Sequence, residues 1–500
     1  MTQKLSSKDF TCLFTTFIIF AASIRYELYQ PVTPQDEAQY LIYPQLILHG
    51  ATQFKDFFSL YGPAAYEPLA ILFKIFNPSV IIERLVGLLY EITFLVSLGI
   101  ILKRRRDIFV VCVALTIPML LWLANGLAAS AWNGALAFSM LALCIYDAST
   151  HDLKNDKGLA LFRTFSAGFF LGIAISFRID FILPITLCLA YIFWQKRELT
   201  KIICSGLFIG LIPTIYVLFS AGVTNVFRCE FIDAYKLTKS GVYYLPLGSG
   251  RNPIAVDGTL LIVVGIIFYL LIKYFKSRKN LSTWSPLLPL ILCFDIGIFQ
   301  ESLHRFDVNH IASIAIFVIP TIFAFPINIK SITLLSIFYI TLCMPIAVPI
   351  YISSVGIKSL TIYPVKNSGR TIYVTNKEQS ISLEQLIKVV NKVTISGNTL
   401  FVGPGDLIHA VFNDTYLYFM FPNLRPSGYF LEMQAGVPNA SGSPLASQVL
   451  RADIIILTDS YSNWKIPEKS DNGSTLPNLE INQNFKKYGT YGEWTVLVKK

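Results

Sequence analysis

Apolar residues do not alternate along this chain; they come in blocks of roughly 15 to 21 residues, which is the length a helix needs to cross a bilayer core of about 30 Å. Such blocks recur from Phe10 to Ile352, and the tail beyond them is polar and mixed. The pattern predicts spans at Phe10 to Ile24, Leu85 to Leu102, Ile108 to Ala124, Leu127 to Tyr146, Ala160 to Phe177 and Phe181 to Trp194. Further spans are predicted at Ile202 to Ala221, Leu260 to Tyr274, Trp284 to Phe299, Ile311 to Phe325 and Ile332 to Ile352. The fold expected is mostly α: a polytopic membrane helix bundle of about 11 spans over residues 1–352, followed by an α/β domain over residues 353–500.

In the tail, β-rich runs at Arg370 to Thr375, Thr399 to Val402, Asp453 to Thr458 and Trp494 to Val498 predict strands. Ser382 and Gln385 have the spacing of a capping box that opens a helix running to Val393. Gly403-Pro404-Gly405 ends the second strand, and Ser462 to Pro477 has the composition of a loop.

Composition agrees with a membrane protein: 54% of residues are hydrophobic and 14% charged. The net charge of +10 invites a nucleic-acid partner, but its distribution excludes one. Basic clusters at Lys103 to Arg106, Lys154 and Lys157, Lys196 to Lys201, Lys273 to Lys279 and Lys330 fall in alternate loops. They share one side when the amino terminus is cytoplasmic, which puts the tail outside the cell membrane. Lys4, Lys8 and Ala21-Ala22-Ser23 also fit a cleavable signal segment, and the next loop lands outside in either case. Of eight cysteines only Cys229 lies in an external loop, so no disulfide framework is expected.

Three external segments are long or polar enough to build a site: Arg25 to Arg84, Gly222 to Gly258, and the turn Glu301 to His310. In the first, Thr33-Pro34-Gln35-Asp36-Glu37 reads as a helix start, with Thr33 as cap, Asp36 closing a capping box and Glu37 complementing the dipole. A helix from Gln35 to Leu48, stopped by His49-Gly50, follows. The same acids, placed just beyond the first span, suit proton transfer at a lipid–water boundary. Tyr40 lies one turn on from Asp36, and Phe57, Phe58, Tyr61 and Tyr66 are expected to anchor an interfacial helix.

Asp36-Glu37-x-x-Tyr40, His49-Gly50, Asp56-Phe57-Phe58, Tyr61-Gly62-Pro63 and Arg84 together resemble the first external loop of GT-C glycosyltransferases, among them protein O-mannosyltransferases and lipid A aminoarabinose transferases. The resemblance covers roughly the membrane half of the chain. It implies inverting transfer of a hexosyl or pentosyl group from a polyprenyl-phosphate-linked donor to an acceptor glycan, lipid or protein of the cell envelope, on the non-cytoplasmic face. It also implies that Asp36, with Glu37 beside it, is the catalytic base or a metal ligand. No cofactor is required, although a divalent metal is compatible, with Asp56 as a second acid. The chain departs from aminoarabinose transferases in having Gln39 where they carry an arginine, and no lysine beside Pro63. Transfer onto lipid A is therefore not expected.

Negative charge grows on the departing phosphate, so a fixed cation is needed, and the fork of an arginine suits it. Arg84 and Arg305 are the first candidates, with His310 beside them in Arg305-x-Asp307-x-x-His310. Arg178, with Asp180, either contacts substrate or forms a local ion pair, and Tyr40, Asp56 and Asp307 complete the substrate-contacting set. Glu91 and Asp295 lie inside spans, where they line a cavity or join helices. Two rival readings stand beside the enzyme: a polytopic transporter or lipid flippase, and a non-catalytic envelope scaffold in which Asp36 is only a cap. Transporters commonly carry paired repeats with matched broken helices, and no such symmetry is visible here.

Overall fold

Ten of the apolar blocks fold as helices, as their length and composition demand; the eleventh, Ile332 to Ile352, lies outside the described residues. The computed structural model describes residues 6–152, 156–239, 253–276, 286–303, 308–326, 362–461 and 473–500. Among the described residues five helices are long and apolar enough to cross a membrane, among them Val80–Lys103, Ala131–Asp152 and Lys157–Phe177, and a bent pair adds a sixth if it is one span. That pair, Arg197–Gly210 and Ile212–Ala221, occupies the predicted span Ile202 to Ala221 and turns by 47° at Leu211.

By contacts the chain divides into two units. The first comprises 1–28, 85–214 and 245–359, and the second comprises 29–84, 215–244 and 360–500. By contacts, residues 360–500 group with 29–84 and 215–244 in one unit.

In the first unit, Lys157–Phe177 and Arg197–Gly210 approach closely because both carry glycine at i and i+4. A Cβ on Gly172 would sit 2.2 Å from the Leu207 carbonyl oxygen, and one on Gly206 would sit 2.0 Å from that of Phe165. Small residues at this spacing let two backbones pack directly where lipid removes the hydrophobic drive. The break after Gly210 leaves carbonyls without helical partners. Ser176 donates to the Gly210 carbonyl at 3.2 Å and Thr214 donates to Ser176 at 2.9 Å, which meets part of that need. At another helix end, the wholly buried Asp147 accepts from Arg104 at 2.8 Å and from Arg105 at 3.1 Å. Two of the basic residues that mark orientation in the sequence therefore also neutralise a buried acid.

The second unit is built on a mixed sheet. Its strands are β3 (Thr399–Pro404), β4 (Arg425–Pro426), β5 (Ile454–Thr458), β6 (Phe485–Tyr491) and β7 (Trp494–Lys499), in the order β4-β3-β5-β7-β6. β3 runs parallel to β4 and β5, and β7 antiparallel to β5 and β6. A separate hairpin joins β1 (Tyr363–Asn367) to β2 (Arg370–Val374). Its two turn residues, Ser368 and Gly369, both have positive φ, as the favoured two-residue hairpin turn requires. All four predicted strands are present. The predicted tail helix exists but starts earlier, spanning Lys377–Val393. Asn376 caps it through Glu378 N, so Ser382 and Gln385 lie inside the helix rather than at its start.

One core runs through the second unit. Phe54 and Phe58 of the first loop, Val226 and Cys229 of the second, and Phe401, Phe430, Met433 and Ile455 of the tail pack in a single cluster. Phe57 and Tyr66 are buried too, so these aromatics are core and not interfacial anchors. The reason is that the helix Ala38–Leu48 is apolar all round and is buried through Gln45. The next helix, Glu67–Phe76, does keep an outward apolar face at Ile71, Ile75 and Phe76. Backbone bonds stitch loop to tail: Phe58 N donates to the Tyr429 carbonyl at 2.9 Å and the Tyr429 hydroxyl to that of Phe54 at 3.0 Å. Cys229 contacts the same hydroxyl at 3.1 Å, and burial pushes its thiol up to about 11, which leaves it unreactive.

The close helix pair makes a direct prediction. Gly206→Leu places side-chain atoms where the Phe165 carbonyl now sits, and overpacking of this kind costs roughly 1–3 kcal/mol or more. The purified variant should unfold at a clearly lower temperature than Gly265→Leu, whose Cβ would meet nothing within 4 Å. Equal melting temperatures for the two would contradict the packing described.

Candidate active site

Residues 34–37 form a turn, and the helix starts at Ala38. Because the start is displaced, the reciprocal cap closes on Glu37 and not on Asp36. Thr33 Oγ1 accepts from Glu37 N at 2.8 Å, and Thr33 N donates to Glu37 Oε2 at 3.1 Å. Arg84, near the start of Val80–Lys103, completes the arrangement. Its Nε donates to Glu37 Oε1 at 2.6 Å and its Nη2 to Oε2 at 3.0 Å, a fork on a carboxylate. Nη1 donates to the Gln30 carbonyl at 2.8 Å and Nη2 also reaches that of Pro31 at 3.4 Å. The two side chains are only 3% and 5% exposed.

Arg84 places its fork on Glu37 and on loop carbonyls inside the unit, and Glu37, equally enclosed, is the counter-ion of that arginine. What the clasp leaves outside is Asp36, which is exposed. Its neighbours are fixed: Gln35 Nε2 donates to the Met433 carbonyl at 2.8 Å, and Tyr416 N to that of Pro34 at 3.3 Å. Gln39, the departure noted in the sequence, bridges the helix start to the core. Its Nε2 donates to the Asp36 carbonyl at 3.1 Å, and its Oε1 accepts from the Tyr66 hydroxyl at 2.7 Å. Tyr40 shares the buried layer, its ring against Tyr61 and Tyr66, and so supports the helix from within.

The remaining candidates separate. Asp56 is exposed and accepts from Thr52 N at 2.7 Å, capping a turn. Arg178, in the first unit, donates to Glu301 at 2.8 Å and to Asp180 at 3.0 Å, with its guanidinium 4.8 Å from the Trp132 ring centre. The local ion pair is therefore present, enlarged by Glu301. His310 lies in the first turn of Val308–Thr321 and is partly buried, while Arg305 and Asp307 lie outside the described residues. Among the described residues no three His, Cys, Asp or Glu side chains gather as a metal-binding group.

Two acids of the tail escaped the sequence reading. Glu432 is buried, with Oε2 accepting from Gln434 Nε2 at 3.2 Å; burial, and then the charge of Asp36, hold its carboxyl well above the usual range. Asp414 is also buried and accepts from Trp494 Nε1 at 2.7 Å. Burial pushes its carboxyl up to about 6, against the lowering effect of the Trp494 bond. For Glu432 the sequence signal is an acid flanked by apolar residues, Leu431-Glu432-Met433; Asp414, between Asn413 and Thr415, has none.

Two outcomes follow. Glu37→Gln and Arg84→Met should each cost about 3–5 kcal/mol, because each strands a buried charge or its partner. The double variant should lose clearly less than the sum in thermal unfolding, and additive losses would contradict a shared clasp. For Asp414, the folded pKa is raised, so its contribution is complete below the unfolded value of 3.8 and disappears as pH rises through about 6. Asp414→Asn should remove that dependence. Between pH 4 and pH 7 the wild type should lose roughly 2 kcal/mol relative to the variant, read as diverging melting temperatures; parallel curves would show that Asp414 titrates normally.

No protein-family model matches the chain, and no curated protein matches it in sequence. Solved structures do. ArnT from Cupriavidus metallidurans bound to undecaprenyl phosphate superposes with a TM-score of 0.59 at 11% identity, over 97% of both chains. The apo form of the same protein gives 0.59 at 10% identity, again over 97% of each chain. The Archaeoglobus fulgidus oligosaccharyltransferase, solved in complex with Zn and sulfate, gives 0.55 at 12% identity over 96% of this chain and 72% of that one. At these identities it is the fold that is shared, and that fold, a multi-pass helical bundle with a sheet-containing region, is the GT-C glycosyltransferase fold.

Proposed function

We propose that the protein is an inverting membrane glycosyltransferase that moves a sugar from a polyprenyl-phosphate donor to a cell-envelope acceptor on the non-cytoplasmic face. The observation that carries this reading is the exposed Asp36 beside a buried Glu37–Arg84 ion pair, on a fold similar to that of a protein solved with undecaprenyl phosphate. The reciprocal Thr33 bonds close on Glu37, next to Asp36.

In the reaction, the Asp36 carboxylate takes the proton of an acceptor hydroxyl as its oxygen attacks the anomeric carbon. The bond from that carbon to the phosphate oxygen breaks on the opposite face. The electron pair leaves with the polyprenyl phosphate, and configuration inverts. A cation steadies the charge growing on the phosphate. With Arg84 occupied, that role passes in this proposal to Arg305 with His310. Asp56 and Asp307 remain proposed contacts to substrate, and Arg178 a third cation. The tail, which shares a unit with the loop that carries Asp36, supplies acceptor contacts.

The test uses purified protein in proteoliposomes with a panel of undecaprenyl-phosphate sugars. Release or transfer of sugar is expected with at least one donor. Asp36→Asn should lower the rate by about 10²–10⁴-fold, the usual worth of a positioned base. Its melting temperature should not move, because the side chain is exposed. Near-normal turnover by that variant would remove the assignment.

A further inference from the structure

A second concave site lies in the tail-containing unit, a short distance along the chain from Asp36. It is a cavity of about 190 Å³ whose wall includes Pro34, Tyr373 of β2, Gln379, Asp414, Tyr461 and Glu493. Nothing in the proposed transfer chemistry uses it. Its volume is below the roughly 300–1,000 Å³ of sites for drug-sized molecules, so it has room for one small ring and not for a prenyl chain or an oligosaccharide.

The lining narrows the chemistry further. Tyr373 and Tyr461 offer flat, amphipathic rings, both partly exposed. Glu493 is partly exposed and accepts from Gln379 Nε2 at 3.0 Å, which fixes an acceptor beside an amide that has its own carbonyl oxygen. Asp414 forms the buried end, fixed by Trp494, with the Tyr461 hydroxyl 3.5 Å from its Oδ1. Among the described residues no lysine, arginine or histidine lines the cavity. The two carboxylates of the described wall accept from hydroxyl groups and disfavour a phosphate. Burial, then Asp414 and Glu493, and to a smaller extent Asp36, hold the Tyr461 hydroxyl above its usual range. Asp36 is thus electrostatically within reach of this wall.

We propose that this cavity binds one uncharged pyranose ring of the acceptor, with its C–H face on the tyrosines and its hydroxyls on Glu493, Gln379 and Asp414. The acceptor role rests on the function proposed above; the sugar-binding role does not.

The experiment measures ligand binding to the full chain in detergent, by saturation-transfer NMR. Methyl glycosides of glucose, mannose, galactose and N-acetylglucosamine are the probes, with glucose 6-phosphate as the anionic control. At least one methyl glycoside should bind saturably in the millimolar range, and glucose 6-phosphate should bind at least tenfold more weakly. Glu493→Gln and Gln379→Ala, each checked for an unchanged melting temperature, should weaken that binding by about tenfold or more. Absence of binding to every methyl glycoside, binding indifferent to both pocket substitutions, or a preference for the phosphate ester would each overturn the proposal. Sugar binding in a protein that transfers from no donor would overturn the proposed function and leave the subsite standing. Transfer without binding here would do the reverse.

Discussion

A buried ion pair organises the candidate site. Glu37 and Arg84 meet through two hydrogen bonds in a place almost closed to solvent. Taking both charges out of water is expensive, and their mutual attraction repays the cost only with good geometry and with the remaining donors satisfied. Both conditions hold. The rest of the guanidinium is taken by the carbonyls of Gln30 and Pro31, and the carboxylate also closes the cap with Thr33. Removing either partner would therefore loosen the loop entry, the helix start and the first turns of Val80–Lys103 together.

This arrangement divides an adjacent acidic pair between two tasks. Glu37 turns inward and fixes the backbone, and Asp36 turns outward on the backbone so fixed. In the proposed reaction Asp36 is the base, and the clasp on the neighbouring residue fixes the backbone that carries it. Further support comes from the tail: the Gln35 side chain and the Pro34 carbonyl are bonded to it, and Glu432 lies buried close enough to sense the Asp36 charge. The first loop and the tail are distant in sequence but belong to one packed unit.

Much of the fold was legible because its physics is local. A run of apolar residues has to form a helix in a bilayer, and alternating β-branched runs gave the four tail strands. His49-Gly50 ends its helix where expected, with Gly50 at a φ of 87°. The failures share a different cause. Thr33, Asp36 and Glu37 satisfy a capping pattern in sequence, yet which acid closes the cap depends on Arg84, 47 residues from Glu37. Arg84 looked available for phosphate because its partner could not be seen from its own neighbourhood. Phe57 and Tyr66 read as interfacial because local sequence does not say that Tyr429, Phe430 and the rest of the tail cover the loop. The burial of Asp414 and Glu432 is illegible for the same reason, since what encloses each acid lies elsewhere in the sequence, as Trp494 does for Asp414.

Asp36 is exposed while Glu37 beside it is locked away, and the proposed function places Asp36 on the non-cytoplasmic side. The direct measurement is labelling of Asp36→Cys and Glu37→Cys in intact cells with a membrane-impermeant maleimide, the unsubstituted chain serving as background. The account predicts rapid labelling at position 36 from outside the cell and little at position 37. Labelling at position 36 only after the membrane is opened, or equal labelling at both positions, would contradict it.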